Sequence, residues 1–501
     1  MVSMPFSQAL ARTISATLLA GCLLGVQACS QKDDPESPTA GAGGSGTAAG
    51  GESGRGGGGG SAQPPGDGAS FAKRVLVDGL SNPWEITWGP DGWLWVTERS
   101  GKRVLRIQPS DATLRVVLEL DEVRQEGPQD GLLGMALHPR LSTGSGEDFI
   151  YVAYSYDAAA GRRFKIRRYT YDAAADALTA PQDVLTELPA STDHNAGRLR
   201  IGPDEKLYYT VGDQGENQFE RKCNLDRAQD LPTADAVSAA DYRTYQGKIL
   251  RMSLDGAIPD DNPVIAGVRS HIFSWGHRNP QGIAFGSTGV LFSSEQGPKT
   301  DDELNLIEAG SNYGWPHVAG FRDDKAYVYA NWSAAPDCEQ LGYSDYTLPS
   351  SVPQQKESDW SDESFAPPLL TFYTVESNHD FRDEKCGSQQ YMCWPTIAPS
   401  SLEFYSAGGQ ALTGWTDSLL IPSLKKGTVF RVPLSADGRS VGGDVAPLFK
   451  TTNRYRDVAV NPDGRTFYVI TDSQGITGSP DGGATDALEN KGSVLVFSAL
   501  P

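Results

Sequence analysis

The chain has 501 residues, 39% of them hydrophobic, with 56 Gly, 32 Pro and a formal net charge of −20 at pH 7. That charge argues against nucleic acid as a partner, because a protein meets phosphates with Lys and Arg, and it gives weight to any local basic cluster. No long segment of helical period appears, so the chain reads as one large all-β domain with an N-terminal appendage and enough length to bury a sizeable core.

Residues 1–29 begin with a polar stretch around Arg12, continue through an apolar run from Ile14 to Val26 and end on cysteine. The run is too short for a comfortable membrane span and has the layout of a bacterial export signal. Leu19-Ala20-Gly21-Cys22 resembles a lipoprotein cleavage box, and Val26-Gln27-Ala28-Cys29 is a poorer match. Either cysteine could become a lipidated N-terminus, and simple cleavage and secretion is the alternative. The expected location is outside the bacterial cytoplasm: periplasmic, anchored to a membrane by lipid alone, or secreted. Residues 30–70 are glycine-rich with almost nothing apolar, so they cannot bury enough surface to offset chain entropy and are expected to be a disordered tether.

From Phe71 to the C-terminus a turn followed by a β run and a polar loop recurs. The clearest copies are GPDGWLWVTER from Gly89, GPDEKLYYTVGD from Gly202 and NPDGRTFYVITD from Asn461. Weaker copies start at His138, Gly286 and Thr413. Each joins a Pro-Asp-Gly type of turn to strand-forming Tyr, Trp, Val and Ile. Six such units arranged radially predict a six-bladed β-propeller with four-stranded blades over 71–501; a pair of β-sandwiches would not repeat one phrase six times. Uneven spacing predicts long top-face insertions at 215–245 and 320–410.

Cysteine usage fits an oxidising compartment: beyond the leader there remain Cys223, Cys338, Cys386 and Cys393. Cys386 and Cys393 suit a local clip, and Cys223 and Cys338 would then pair by elimination, joining the two insertions. No CxxC spacing supports a zinc site.

The stretch from Trp275 to Glu303 concentrates the chemistry. His277, Arg278 and Asn279 precede Pro280, which holds the preceding residue extended. A hairpin follows, and its exit at Glu295-Gln296-Gly297-Pro298 offers bare carbonyls, with Asp301, Asp302 and Glu303 just beyond. Such oxygen donors suit Ca²⁺. His194, in Ser191-Thr192-Asp193-His194-Asn195, is a candidate general base that the adjacent Asp193 could orient. Lys425, Arg454, Arg456 and Arg278 come from separate loops and suggest a pocket for a small polyanion. The contrary reading is that each is an ordinary surface charge paired with Asp or Glu. No glycine-rich dinucleotide fingerprint occurs.

The segments QDGLLGMALHP, DHNAGRLRIGPDEKLYYTVGDQG, GHRNPQGIAF, SEQGPKTDDELNLI, NYGWPHVAG, CWPTIAPSS, PSLKKG and NRYRD closely resemble, in this order, the soluble pyrroloquinoline quinone (PQQ) dependent glucose dehydrogenases. Members of that family are six-bladed propellers that hold PQQ and Ca²⁺ at the top of the channel and oxidise aldoses to lactones. The resemblance implies His194 as the base, with Asp193 beside it, Gln129 as a further sugar-side contact and Arg278 at the reacting centre. It implies PQQ contacts from Arg278, Asn279, Gln296, Trp394, Thr396, Lys425, Arg454 and Arg456. Carbonyls of Gly297 and Pro298 would hold the catalytic Ca²⁺. A second, structural Ca²⁺ would take Glu303, Tyr313, Ala319, Phe321, Asp323 and Glu357, with Phe321 serving through its backbone oxygen. The family's local disulfide maps onto Cys386 and Cys393. The leader, the tether and the cysteines 223 and 338 depart from the family pattern.

The mechanism so implied has His194 remove the proton of the sugar C1 hydroxyl while hydride passes to PQQ, with Ca²⁺ and Arg278 polarising the quinone oxygen. Expected partners are an aldose and an electron acceptor such as a quinone, a cytochrome or a dye; whether the chain forms a homodimer stays open. Two other classes fit parts of the pattern. A Ca²⁺-dependent propeller lactonase would not need Lys425, Arg454 and Arg456 as a set, and a non-catalytic receptor-like propeller would lose the base.

Overall fold

The computed structural model describes residues 70–405, 411–415 and 417–500. The leader at 1–29 and, but for Ser70, the tether at 30–70 lie outside the described residues. Six four-stranded antiparallel sheets account for nearly all the regular structure, and the one α-helix among the described residues is the short Ala234–Ser238 turn of an insertion. Blade 1 comprises Pro83–Trp88, Leu94–Glu98, Arg103–Ile107 and Leu114–Glu119, and blade 2 comprises Leu132–Leu137, Phe149–Ala158, Gly161–Asp172 and Ala177–Leu188. Blade 3 is built from Ala196–Ile201, Leu207–Val211, Lys248–Met252 and Ile272–Trp275, and blade 4 from Pro280–Phe285, Leu291–Glu295, Asp302–Ile307 and Leu370–Phe372. Glu403–Tyr405, Ser418–Pro422, Val429–Pro433 and Ala446–Leu448 form blade 5. Blade 6 takes Tyr455–Val460, Thr466–Thr471 and Val494–Ala499 from the end of the chain and its outermost strand, Phe71–Val77, from the beginning.

The first strand of each blade packs against the first strands of its two neighbours, and the sixth meets the first, so the six sheets close into a ring. The repeated phrase is the opening hairpin of each blade: the Pro-Asp-Gly turn links the innermost strand to the second, which is buried from end to end in Leu94–Glu98, Leu207–Val211 and Leu291–Glu295. Six apolar clusters lie between adjacent blades rather than in one central core; Trp95 and Tyr154 pack in one, Tyr405, Trp415 and Phe467 in another. Burying both faces of every sheet explains why the second strands are buried at every position, with apolar residues side by side, instead of alternating.

The channel is polar and plugged. Five of the six innermost strands carry a register irregularity near their first residues. Such a bulge re-aims side chains, here Trp84, Arg198, Gln281 and Arg456. Arg198 is wholly buried, donates to Glu85 at 2.5 Å, Asp457 at 3.0 Å and the carbonyls of Gln281 and Ser400, and lies 4.0 Å over the Trp84 ring. Four other blades thus meet at one guanidinium: 1, 4 and 6 through named strands and 5 through the loop before it; blade 2 is tied in one step further out, through Thr97 Oγ1, which supports the Glu85 backbone while donating to Leu133 O.

Both long insertions are present, but the second, expected over 320–410, is divided by the outermost strand of blade 4, Leu370–Phe372. Cys223 and Cys338 are bonded, joining the segment after the second strand of blade 3 to the one after the third strand of blade 4, and Cys386 and Cys393 are bonded in the loop between blades 4 and 5. A small apolar cluster of Trp332, Ala335, Val352 and Tyr343 surrounds the first bridge.

Candidate active site

In an antiparallel hairpin the start of one strand and the end of the next share an edge, so the loops before each first strand and after each second strand gather on one face of the ring. That face holds Gln129 and Ser155 from blade 2, His194 and Asp213 from blade 3, Arg278, Asn279 and Gln296 from blade 4, Lys425 from blade 5, and Arg454, Arg456 and Asp472 from blade 6.

His194 sits 6% exposed with a left-handed backbone, φ +40°. Its Nδ1 lies 2.7 Å from Asp213 Oδ1, whose carboxylate also accepts from the Gly215 N–H and from Trp315 Nε1. The carboxylate that orients the ring is therefore Asp213, and the expectation for Asp193 is corrected: Asp193 accepts from the Gln129 amide and from the His194 backbone N–H, which turns it away from the imidazole. Gly212 permits this packing, since a Cβ there would stand 2.0 Å from His194 O. Gln218 brings its amide to 3.5 Å from His194 Nε2.

Asn279 links blades 2 and 4, donating to the side chains of Gln129 and Gln296 at 3.2 Å each. Arg278 donates to Gln296 O and Gln218 Oε1, stands 5.2 Å over the Trp315 ring, and keeps a buried Nε without a partner among the described residues. A cavity of about 290 Å³ opens beside it, lined by Gln218, Phe219, Pro298, Lys299, Trp315 and Trp394 among others.

The remaining basic residues do not form a set of free cations. Lys425 Nζ donates to Tyr391 O, Trp394 O and Thr396 Oγ1; burial pushes its amine down to about 7 against the pull of nearby Asp302. Arg454 and Arg456 both pair with Asp472, at 3.0 and 2.8 Å. Burial alone would raise Asp472, yet the two guanidiniums hold it below the usual carboxylate range. Arg99, at the end of the second strand of blade 1, is a buried cation that sequence reading missed; it is bound to Gly127 O and Asp130 O and faces the same cluster.

Asp302 fixes the carbonyl loop. One of its oxygens accepts from Gly297 N at 2.8 Å, the other from Ile397 N and Ala398 N, and burial raises the acid to about 6. Among the described residues no N–H is directed at the carbonyls of Gly297 or Pro298. The second set of metal candidates surrounds one loop: Glu303 accepts from Gly320 N, and Glu357 from Ala319 N, Asp323 N and Asp324 N. Tyr313 spends its hydroxyl on Leu306 O, and Phe321 is exposed. The carboxylates point at backbone donors, and no three acidic or His side chains converge as a ready cage among the described residues. Burial raises Glu303 to about 8 and Glu357 to about 7.

The family model for glucose/sorbosone dehydrogenase matches residues 80–351 and 371–477. This chain belongs to the glucose/sorbosone dehydrogenase family. It is 45% identical over 438 residues to quinoprotein glucose dehydrogenase B of Acinetobacter calcoaceticus, covering 86% of this chain and 91% of that protein. It is 28% identical over 405 residues to an aldose sugar dehydrogenase of Escherichia coli, covering 79% and 89%. Among solved structures, the PQQ-bound aldose sugar dehydrogenase of Streptomyces coelicolor superposes with a TM-score of 0.58 at 25% identity, covering 86% of this chain and 99% of that one. The soluble aldose sugar dehydrogenase of Escherichia coli gives 0.59 at 26%, covering 86% and 100%. The six-bladed ring described above is the fold of this glucose/sorbosone dehydrogenase.

Proposed function

We propose that the chain is a PQQ- and Ca²⁺-dependent dehydrogenase that oxidises D-glucose and related aldoses at C1 to the 1,5-lactone and passes the electrons to a quinone, cytochrome or other non-oxygen acceptor. The observation that carries the reading is His194, oriented by Asp213, on the same face as Arg278 with its unpartnered Nε and the undirected carbonyls of Gly297 and Pro298. Those donors and acceptors fit an anionic quinone and a hard cation. Arg278, Asn279, Gln296, Trp394, Thr396, Lys425, Arg454 and Arg456 would hold PQQ. Gly297 and Pro298 would contribute two of the six to eight oxygens that Ca²⁺ takes. PQQ, when bound, supplies the two-electron oxidant.

The chain's own work is to hold and move a proton. With Nδ1 bonded to Asp213, Nε2 is the nitrogen left to accept the proton of the C1 hydroxyl, and Asp213 stabilises the imidazolium that results. Gln129, fixed by Asn279 and Asp193, stands ready for a sugar hydroxyl. Glu303, Tyr313, Ala319, Phe321, Asp323 and Glu357 would hold a second, structural Ca²⁺ once the carboxylates turn from the loop N–H groups. The two disulfides suit an oxidising compartment, in keeping with export and with attachment, if any, through a lipid on Cys22 or Cys29.

The test is to add PQQ and CaCl₂ to the purified protein and to follow dye reduction with a panel of sugars. Activity with glucose and several other aldoses, disaccharides included, is expected, since a site with few walls discriminates weakly. Saturable PQQ binding without turnover of any aldose would overturn the substrate class, and no PQQ binding would overturn the cofactor.

A further inference from the structure

Behind the His194–Asp213 pair lies a second buried acid that the reaction as described does not use. Asp226, in the insertion of blade 3, places Oδ2 at 2.9 Å from Trp315 Nε1, while Asp213 Oδ2 stands 3.0 Å from the same nitrogen. One indole N–H is thus shared between two carboxyl groups, both shielded from solvent. Among the described residues Asp226 has one other donor, the Ala228 N–H at 2.8 Å, whereas Asp213 also receives Gly215 N and His194 Nδ1.

Among the described residues no cation pairs directly with Asp226, although the nearby Lys248 amine pulls against its rise. Lys248, from the third strand of blade 3, directs its amine at the carbonyls of Arg227, Ala228 and Gln246, at 3.1, 2.9 and 2.6 Å. Tyr327 and Tyr329 face Asp226 from the blade 4 insertion. On its own segment Arg227 pairs with Asp230, and Arg278 lies across the Trp315 ring on the far side. Two carboxyl groups this close and this dry do not both ionise in the ordinary carboxylate range. The proton stays on Asp226, the one with fewer donors.

We propose that Asp226 is a positioning residue for His194, a neutral acid at rest whose ionisation places a second negative charge behind Asp213 and so strengthens the imidazole as a base. This rests on the reading of His194 as the general base. Burial and the Asp213 carboxylate raise Asp226 to about 8, so the change falls just above neutrality, where the enzyme would meet it. Both carboxyl groups sit on one N–H, so the negative charge that Asp226 gains is felt at Asp213 and, next to it, at the imidazole.

The experiment has one readout that needs no cofactor. In the full-length, PQQ-free protein the His194 imidazole resonances, assigned with His194→Ala, are followed by NMR against pH. A second inflection near pH 8 is expected in the wild type and its loss in Asp226→Asn, whose amide oxygen can still accept a hydrogen bond. Trp315→Phe, which removes the shared N–H and leaves both carboxyl groups in place, should move the inflection to higher pH, and decides the matter if Asp226→Asn fails to fold: an inflection that stays where it was overturns the proposal. With PQQ and Ca²⁺ loaded, kcat/KM for glucose should rise roughly two- to tenfold across the same range in the wild type and stay flat in Asp226→Asn. A second inflection that survives in Asp226→Asn, or is missing from the wild type, overturns the proposal, as does an equal loss of kcat/KM at every pH. If the inflection behaves as expected while the loaded wild type oxidises no aldose, the coupling stands and the functional reading falls.

Discussion

Arg198 donates to Asp457 at 3.0 Å across the axis of the propeller, and neither side chain reaches solvent. With Glu85 at 2.5 Å the same guanidinium spans blades 1, 3 and 6. Glu85 also takes Arg200, so two carboxylates and two arginines balance in a dry channel only while every partner is present.

Replacing Arg198 with Leu leaves Asp457 without its cation and Glu85 with Arg200 alone, and it should lower stability by about 3–5 kcal/mol. Arg198→Lys keeps the charge but loses the fork that reaches Gln281 O and Ser400 O, so its loss should be intermediate. Urea unfolding of the three proteins checks the order; a cost for Arg198→Leu under about 1 kcal/mol would remove the channel rivet from the account.

Asp472 gives a pH prediction. Its carboxyl is held below the usual range by Arg456 and Arg454 despite burial, so the unfolded chain binds the proton more readily than the folded one. The stability it contributes is present above the ordinary carboxylate range, about pH 4, and drains away as pH falls through the lower folded value. Asp472→Asn should be less stable at pH 7 and show a shallower further decline in acid. Parallel stability curves between pH 7 and 3 for wild type and variant would contradict this.

The two disulfides should differ in worth. Cys223 and Cys338 are 115 residues apart and Cys386 and Cys393 only 7. Chain entropy alone assigns about 5 kcal/mol to the long bridge and about 2.4 kcal/mol to the short one. Paired Cys→Ala variants, compared by denaturant midpoint, should rank in that order, with the reverse ranking fatal to the argument.

At the candidate base, kinetics separate the two aspartates. His194→Ala should lower kcat by about 10²–10⁴-fold while PQQ still binds. Asp213→Asn keeps the ring in place but removes the acceptor that fixes its tautomer, so it should fall in the same range. Asp193→Asn disturbs Gln129 and should act chiefly on KM. Equal kcat losses in Asp193→Asn and Asp213→Asn would undo the assignment of Asp213.

The ring was legible because each blade repeats one local phrase: a turn that only Pro, Asp and Gly make well, followed by residues that suit a strand buried on both faces. The same regularity held a signal that went unused. The residue closing each phrase stands on the top face, and Arg99, Asp213 and Asp472 occupy that place as surely as Lys425 does. Adjacency in sequence points to Asp193 as the partner of His194, whereas the left-handed backbone at His194 swings the ring toward a strand end 19 residues away. Arg198 was hidden for a different reason. Nothing in a strand's own residues tells that a bulge will aim one of them down an axis shared with five other blades.

Phe71 pairs with Ala499, and Leu500 N–H donates to Ser70 O at 2.7 Å. The earliest strand of the propeller to leave the ribosome must therefore wait for the latest before it has a neighbour. Blades 1 to 5 can each assemble as they emerge, but the annulus cannot lock until synthesis is complete, and loop-closure entropy makes such a long-range pairing slow. A protein clipped within its last ten residues would lose the latch rather than a tail, and the five finished blades would be left as an open, sticky arc. Refolding in vitro should accordingly end in a late, concentration-sensitive step, while a permutant with residues 70 and 500 joined and new ends cut between two blades would shift the latch to another seam of the ring.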